Sequence, residues 1–350
     1  MACRLSHDEI GDCLAGDAWW RPPPYTEVGG AGIDNPPTVV SIGRERLSIM
    51  SGTAAKKEIQ TFWKSLYDSV YEDVDSGLTR ERLLQGIDDL EDMFRFRGHL
   101  AVTEMPLDAL ARKKVLEIGP GAGGHSAMFA RRGAIMTSAD ITFDRALATR
   151  GKFRLLGDSA NGCLALQSDA ESLPFGDDAF DIVYSNGVLH HTVDTEQAIA
   201  EVRRVLKPGG QAVIMLYCKS SWHYWVTMLL CVGLLQGKAF GDPNWLGKAT
   251  EWGGAHKQSV MNPITRCYTA RGIRRLFADF DDLTMRKREF YFYLIPKFGR
   301  LYRRYQIRRY GTHPGGLLVY GAPWPIQSRL ELWLGRILGF AWFISATKPG

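Results

Sequence analysis

The chain has 350 residues, of which 45% are hydrophobic and 23% are charged, and its formal net charge is +5. This composition excludes a disordered chain and supplies enough apolar surface for one large core or two modest ones. The longest apolar stretch, residues 222–235, is shorter than the eighteen or more residues that a membrane-spanning helix requires, so no transmembrane anchor is predicted.

The six cysteines form no C-x-x-C pair and have no histidine at zinc-ligand spacing. A chain of this length does not need disulfides for stability, so we interpret the cysteines as reduced thiols and predict no structural metal. The N-terminus lacks a basic segment followed by an apolar core, so no secretory signal is evident and a cytoplasmic location is predicted.

The first part of the chain divides into an arm and a helical region. Residues 1–50 are rich in proline and glycine and show no sustained periodicity, which is typical of a mobile arm. Residues 51–112 contain two apolar stripes at helical spacing, one from Ile59 to Val70 and one from Leu83 to Phe94. They predict two helices that precede the first strand and pack over the edge of its sheet as a partial lid.

A glycine-rich turn follows the first predicted strand. Residues 114–124 read KVLEIGPGAGG, an apolar run that ends at Gly119, Gly121 and Gly123. This pattern predicts a buried strand, a tight turn and a helix over residues 125–132. Glycines accept positive φ and let the backbone approach a flat ligand, while the first helical turn offers free N–H groups. The stretch is therefore the first strand–helix unit of a nucleotide-binding sheet.

The glycine pattern alone leaves the ligand open. It also fits the dinucleotide fingerprint, because Asp140 lies about twenty residues further on, where a ribose-binding acid is expected in either case. Glu117 separates the two interpretations, since a carboxylate there would repel a pyrophosphate but suits the ammonium and sulfonium of S-adenosyl-L-methionine. The alternative is a solvated glutamate at the end of a strand.

Further strands are predicted at residues 134–140, 164–167, 180–185 and 211–217, with a helix before the last one that residues 207–210 terminate. Ligands sit at the carboxyl ends of parallel strands, so Asp140 is expected to accept hydrogen bonds from the ribose hydroxyls, with Asp144 as a substitute. Asp169, beside Ala170, is the candidate for the adenine amine, and its alternative role is to cap a turn. Asn186 begins the loop after the fourth strand.

The order and spacing of these motifs resemble class I S-adenosylmethionine-dependent methyltransferases, most closely the branch that includes the ubiquinone and menaquinone C-methyltransferases. The resemblance covers residues 110–218 and rests on these motifs: Glu117-x-Gly119-x-Gly121-x-Gly123, Asp140, Ser168-Asp169-Ala170, Phe180-Asp-x-Val-Tyr184, Val188-Leu-His-His191 and Leu206-Lys-Pro-Gly-Gly210. It implies an α/β fold, a Rossmann-like seven-stranded, mostly parallel sheet with helices on both faces, and S-adenosyl-L-methionine as cofactor. The residues assigned to cofactor binding are Glu117, Gly119, Gly121, Gly123, Asp140, Asp169, Ala170 and Asn186.

The remaining regions are a cofactor-binding core over residues 113–218, a helical insertion over 219–268 and a C-terminal part over 269–350. The C-terminal part contains a sixth strand at 283–292, a helix at 326–338 and a seventh strand at 340–348. It also holds a basic and aromatic insertion over about residues 291–325. A minimal member of the family lacks the two insertions, so we expect them to carry substrate recognition.

The insertions leave several partners open. Residues 222–232 are apolar on nearly every face of a helix, which favours burial between domains over a greasy substrate cavity or a membrane interface. The second insertion has basic residues and no acid between residues 297 and 310. A solvated helix, an anionic membrane surface, a phosphorylated substrate and RNA are the alternatives, with RNA ranked lowest because no separate RNA-binding domain is visible. The combination of an apolar and a basic insertion favours a lipid-linked or otherwise amphipathic acceptor.

Methyl transfer from a sulfonium is an in-line displacement, and an oxygen acceptor must also lose a proton. His190 and His191 lie in the loop expected to flank the donated methyl, so either is a candidate base, and a structural role in that loop is the alternative. The sequence therefore predicts a methyltransferase that acts at oxygen or carbon of a small or amphipathic acceptor (lipid-linked, isoprenoid, polyketide or glycosylated). A nicotinamide-dependent oxidoreductase and a catalytically silent cofactor-binding partner protein are the alternatives.

Overall fold

The computed structural model describes residues 52–75, 77–241, 245–250, 262–296, 298–310, 312–313, 324–325 and 327–350. The arm predicted over residues 1–50 lies outside the described residues, as do parts of both predicted insertions. Within the described ranges, no helix is both long and apolar enough to span a bilayer.

The helices and strands follow one another in the alternating order that a parallel α/β sheet requires. The helices are α1 (Gly52–Asp75), α2 (Arg80–Arg97), α3 (Leu100–Thr103), α4 (Gly124–Arg131), α5 (Phe143–Leu156), α6 (Thr195–Val205), α7 (Lys238–Gly241), α8 (Trp245–Thr250), α9 (Ala270–Leu276), α10 (Phe298–Tyr310) and α11 (Arg329–Leu338). The strands are β1 (Lys114–Ile118), β2 (Ile135–Asp140), β3 (Leu164–Gln167), β4 (Phe180–Asn186), β5 (Leu206–Tyr217), β6 (Asp281–Arg288), β7 (Thr312–His313), β8 (Trp324–Pro325) and β9 (Ala341–Thr347).

The main sheet has seven strands in the order β3–β2–β1–β4–β5–β9–β6. The first five are parallel to one another, whereas β9 runs antiparallel to both β5 and β6. The strand order reverses between β1 and β4, and ligands of such sheets bind outside the carboxyl ends at that point. The predicted fold class is therefore confirmed, including the antiparallel last strand.

Alternate residues of each central strand supply cores on the two faces of the sheet, as the two-residue period of a strand requires. Val115 of β1 packs with the helices α2 and α4 on one face. Leu116 packs with α6 and α9 on the other face. The sheet is thus covered on both sides, and its carboxyl edge is where polar side chains gather.

Three strand boundaries differ from the prediction. Asn186 is the last residue of β4, paired with Met215, and not the first loop residue. Strand β5 begins at Leu206, so the predicted helix terminator at residues 207–210 lies inside the strand. Strand β6 ends at Arg288 because Glu289 adopts a left-handed backbone with φ 66°, which takes the chain out of the ladder.

The apolar helix predicted in the first insertion forms as a π-helix, His223–Leu234, with wider turns than an α-helix. The bond from the Leu235 N–H to the Leu230 carbonyl, 2.9 Å long, spans five residues in this way. Tyr224, Met228 and Val232 are buried in a small core with Phe340. The opposite side is exposed, so the helix is only partly buried.

Candidate active site

The turn between β1 and α4 has a backbone that glycine accommodates and other residues resist. Gly119, Gly121 and Gly123 have φ angles of 72°, 54° and 76°, in the left-handed region that side chains disfavour. A Cβ atom at Gly123 would lie 2.6 Å from the Thr149 hydroxyl oxygen, and one at Gly121 would lie 2.5 Å from the Tyr67 hydroxyl oxygen. The turn is closely packed at the carboxyl edge of the sheet.

Glu117, next to the last residue of β1, is 2% exposed. Ser126 of α4 donates a hydroxyl hydrogen bond to its carboxyl, and the His125 Nδ1 atom lies 3.8 Å from its Oε1 atom. Burial raises the pKa of Glu117 to about 8 and lowers that of His125 to about 4. No lysine or arginine of the described residues forms an ion pair with Glu117. The site thus holds a buried carboxyl without a cation.

Asp140, the last residue of β2, is 6% exposed. Its Oδ1 atom accepts hydrogen bonds from the Thr142 N–H at 2.8 Å and the Thr142 hydroxyl at 2.9 Å, and the Gly121 N–H also binds the carboxyl. Burial raises its pKa, and these hydrogen bonds oppose the rise. A carboxylate offers about four acceptor sites, so roughly one remains for a ligand.

Asp169 and Ala170 follow β3. Asp169 accepts from the Glu171 N–H at 2.9 Å, which is the turn-capping bond weighed as its alternative role. Lys56 of α1 pairs with both acids, its Nζ atom lying 2.5 Å from Asp169 Oδ2 and 2.9 Å from Glu171 Oε2. Ala170 is buried against Leu173 in the core of one sheet face. The adenine role of Asp169 stays a prediction.

Helix α1 lies across the carboxyl edge of the sheet, with contacts to four separate loops. Gln60 donates to the Ile141 carbonyl at 2.9 Å, the Trp63 ring lies 5.1 Å from the His191 ring, and Tyr67 packs on Gly121. Sequence reasoning did not place Lys56, Trp63 or Tyr67 at the site. Lys56, Gln60, Trp63 and Tyr67 are three or four residues apart, so they share one face of a helix. This spacing is the sequence feature that could have identified them.

His190 and His191, the candidate bases, are buried side by side with ring centroids 4.1 Å apart. The His191 Nδ1 atom lies 2.9 Å from the Ile264 carbonyl, whereas neither ring nitrogen of His190 has a hydrogen-bond partner among the described residues. Burial lowers the pKa of His191 to about 4 and lowers that of His190 as well. Both imidazoles are neutral near pH 7 and weakly basic, and their catalytic role stays a prediction.

A cleft of about 560 Å³, which includes space open to solvent, lies on the other side of the edge from Asp140. Asn186 at the end of β4 and His125 in the first turn of α4 form its near wall. Its other residues are Met93, Phe94, Arg97, His99, Arg288, Glu289, Tyr291, Gln327, Leu332, Gly335 and Phe343. The Asn186 Oδ1 atom is buried without a hydrogen-bond partner among the described residues. Sequence reasoning missed every one of these residues except Asn186.

Residues 116–214 match the family model described as a methyltransferase domain. Over these residues the chain is similar to methyltransferase domains. The matched stretch contains the glycine turn and all the residues assigned from sequence to cofactor binding and catalysis, namely Glu117, Gly119, Gly121, Gly123, Asp140, Asp169, Ala170, Asn186, His190 and His191. The far wall of the cleft, from Arg288 to Phe343, lies beyond the matched residues.

Similar curated proteins include the demethylmenaquinone methyltransferase of Thermobifida fusca, 37% identical over 112 residues, which are 32% of this chain and 47% of that protein. The ubiquinone/menaquinone biosynthesis C-methyltransferase UbiE of Idiomarina loihiensis is 33% identical over 139 residues, covering 38% of this chain and 55% of that protein. The chain spans about half the length of these relatives. The phosphoethanolamine N-methyltransferase 2 of Haemonchus contortus, solved with S-adenosyl-L-methionine, matches with a TM-score of 0.47 at 17% identity over 82% of this chain and 60% of that one.

Proposed function

We propose that this chain transfers a methyl group from S-adenosyl-L-methionine to oxygen or carbon of a small or amphipathic acceptor. The observation that carries the proposal is a pair of buried carboxyls, Glu117 and Asp140, on either side of the left-handed glycine turn. They occupy the ends of the neighbouring strands β1 and β2, where ligands of parallel sheets bind. The matched methyltransferase domain supports this reading of the pair.

The residues present fit the charges of this cofactor. Glu117 is a buried acid whose described neighbours are the Ser126 hydroxyl, the neutral His125 imidazole and the Asp140 carboxyl. An ammonium group beside it would stabilise the carboxylate form, whereas the pyrophosphate of a dinucleotide would face an acid at the same turn. Glu117 is therefore assigned to the ammonium of the methionine moiety, and the backbone of Gly119, Gly121 and Gly123 to the approach of the ligand.

The other contacts follow the order of the strands. Asp140 is assigned to the ribose hydroxyls, for which its carboxyl keeps roughly one acceptor site. Asp169 and Ala170 are assigned to the adenine ring, with Lys56 sharing the Asp169 carboxyl. Asn186, at the end of β4, is assigned to the region between the cofactor and the cleft. Lysine, glutamine and aromatic residues of α1 would cover the bound cofactor from above.

The acceptor is proposed to be quinone-like or a related amphipathic molecule. Relatives of this chain are named for demethylmenaquinone and for ubiquinone and menaquinone biosynthesis. The C-terminal half also exposes large apolar side chains, among them Trp225 of the π-helix, Phe298 and Leu301 of α10, and Trp333 of α11. Helix α10 has arginines and no acid along its thirteen residues. We therefore include peripheral contact with an anionic membrane surface in the proposal.

The test is a calorimetric titration of the purified protein with S-adenosyl-L-methionine, S-adenosylhomocysteine and NADH. Micromolar binding of the first two ligands, with none of the third, is the expected result. Binding of NADH alone would replace the proposal with a nicotinamide-dependent reaction. The protein and S-adenosyl-L-methionine are then incubated with quinols, phenols or lipid-like acceptors, and the formation of S-adenosylhomocysteine is measured. Cofactor binding without turnover on any acceptor would favour a catalytically silent partner protein.

A further inference from the structure

We propose that the cleft beside Asn186 binds the methyl acceptor by a ring hydroxyl and that Glu289 accepts the proton of that hydroxyl. The acceptor class is a phenol-type molecule, with a flat apolar body and an acidic O–H group. This inference rests on the proposed function, because it places the acceptor of that same reaction. Neither the motifs nor the matched domain reach Glu289.

The position of the cleft suits an acceptor site. It adjoins the glycine turn through His125 and the end of β4 through Asn186, so a molecule inside it lies next to the proposed cofactor edge. Its walls include the apolar side chains of Met93, Phe94 and Phe343. Apolar walls with a few convergent polar groups are typical of small-molecule sites.

Glu289 is held in this wall by its backbone. Its φ angle of 66° is left-handed, a strained conformation for a residue with a side chain, and such residues cluster at functional sites. The Phe340 N–H donates to its carbonyl at 2.9 Å, and Gln327 donates to the Phe290 carbonyl at 2.9 Å. A Cβ atom at Gly335 would lie 3.4 Å from the Glu289 nitrogen, so α11 packs closely on this segment. The backbone is fixed while the carboxyl accepts no hydrogen bond from a described residue.

The charges around Glu289 suit proton transfer. Burial raises its pKa to about 7, and Arg97 of α2 opposes that rise. A base with this pKa is half ionised at neutral pH and can take a proton from a phenol. Arg97 is the charged group that acts on Glu289 among the described residues, and the other titratable groups that line the cleft are His99, His125, Arg288 and Tyr291. Burial also lowers the pKa of both histidines, so the cleft has two cations beside one acid.

Asn186 is the second polar group proposed to contact the acceptor. Its buried Oδ1 atom has no partner among the described residues and can only accept a hydrogen bond, so it favours a ligand with an O–H or N–H donor. In the proposed step Glu289 takes the hydroxyl proton. The acceptor's oxygen, or a ring carbon activated by the phenolate, forms the new bond to the methyl carbon; a ring carbon then releases its own proton to solvent, which restores the aromatic ring. The bond from the methyl carbon to sulfur breaks, and its electron pair leaves with S-adenosylhomocysteine. The arginines stabilise the transient phenolate.

The test uses 4-hydroxyacetophenone, whose phenolate absorbs at longer wavelength than the neutral phenol and whose own pKa lies above that of Glu289. The full-length protein is saturated with S-adenosylhomocysteine and titrated with the probe at a pH between these two pKa values, where free Glu289 is ionised and the free probe is neutral. We expect the bound probe to show the phenolate band in the wild type. Glu289→Gln should remove that band and weaken probe binding roughly ten- to a hundredfold, because a charged hydrogen-bond partner is lost. Glu289→Asp, which keeps a carboxylate, should restore part of both.

Two further variants make the result specific. Asp282→Asn removes an exposed carboxylate from β6, the strand that precedes Glu289, at a residue that also has a left-handed backbone, with φ 51°, and should leave the probe spectrum unchanged. Leu332→Trp fills the cleft and should abolish probe binding without altering affinity for S-adenosylhomocysteine. Thermal unfolding of each variant checks that it is folded.

The outcomes are distinguishable. An unchanged phenolate band in a folded Glu289→Gln variant would remove Glu289 as the proton acceptor. Unaltered probe binding in Leu332→Trp, or competition between the probe and S-adenosylhomocysteine, would show that the cleft is not the acceptor site. Failure of the wild type to bind S-adenosylhomocysteine would overturn the proposed function itself and this inference with it.

Discussion

The two halves of the carboxyl edge are built in different ways. The half around β1 and β2 takes its glycine turn and both acids from residues 117–140, a short and continuous stretch. The cleft takes its walls from α2, α4, β4, α11, β9 and the segment after β6, so its residues run from Met93 to Phe343. A site made from one stretch leaves a motif in the sequence, whereas a site assembled from distant elements leaves none.

Both halves contain a glutamate whose pKa burial raises, to about 8 for Glu117 and about 7 for Glu289. Their surroundings differ in charge. Glu117 faces Ser126 and neutral His125, whereas Glu289 faces Arg97. The environment of Glu117 is suited to binding a cation, whereas that of Glu289 is suited to proton transfer. His125 belongs to both, since it lies near Glu117 and lines the cleft.

The largest effect is expected at the glycine turn. Replacing one of its glycines by alanine tests whether the half of the edge around β1 and β2, the cofactor half, depends on a glycine backbone. In Gly119→Ala the new Cβ atom would overlap the Val188 side chain at a φ of 72°. Strain and overpacking should together destabilise the protein by roughly 2 to 5 kcal/mol and abolish cofactor binding. Thermal unfolding and calorimetry measure the two effects. Gly176→Ala, where a Cβ atom meets nothing within 4 Å, is the control. A stable, cofactor-binding Gly119→Ala protein would contradict the packed turn.

Asp140→Ala should weaken binding of S-adenosyl-L-methionine by roughly 1.5 to 3 kcal/mol, the range for a charged hydrogen-bond partner. The matched control is Asp144→Ala, which removes an acid whose described partner is Lys64 on α1. Equal losses in the two variants would assign the effect to general charge, and unchanged affinity in Asp140→Ala would remove this residue from the site. Calorimetric titration at one ionic strength distinguishes these results.

The fold and the cofactor half were largely predictable for a physical reason. Gly119 and Gly121 must be glycine because their backbone is left-handed and crowded, and the acids at the ends of β1 and β2 meet because neighbouring parallel strands end at one edge. Local sequence thus contained most of the information that this half requires.

The rest could not be predicted because it depends on tertiary contacts. Tyr67 and Lys56 reach the edge only because α1 docks across it. The predicted sixth strand ran through Glu289, yet the observed strand ends before it. Gly335 and Gly339 allow α11 to approach that segment, and nothing in the local pattern indicates that approach. The residue type alone does not show whether a glutamate has a left-handed or an extended backbone.

The outer surface extends the contrast, because most of the exposed large apolar side chains of the described residues belong to the C-terminal half, where α10 adds arginines without an acid. Arg304 and Arg308 of α10 are exposed. Replacing both by glutamine should weaken binding to vesicles that contain anionic lipid by roughly 2 kcal/mol, at about 1 kcal/mol for each charge, and leave cofactor affinity unchanged. Arg274→Gln with Arg275→Gln on α9 makes the same change of charge elsewhere. Equal vesicle binding by the two double variants would show that α10 is a solvated helix and not a specific membrane-binding surface.

The dependence of stability on pH tests the raised pKa of Glu117. The pKa of Glu117 is about 8 when folded and about 4.5 when unfolded, so between these values the folded state binds more protons. The stability contributed by protonated Glu117 is therefore full below about pH 4.5 and falls as pH rises to 8, by on the order of 1 kcal/mol per pH unit. Glu117→Gln lacks this loss, so its melting temperature relative to the wild type should rise between pH 5.5 and pH 8. S-adenosylhomocysteine, through its ammonium, should raise the wild-type value at pH 8 more than that of the variant. A difference independent of pH would mean that Glu117 is ionised in the free protein and would weaken its assignment to the ammonium group.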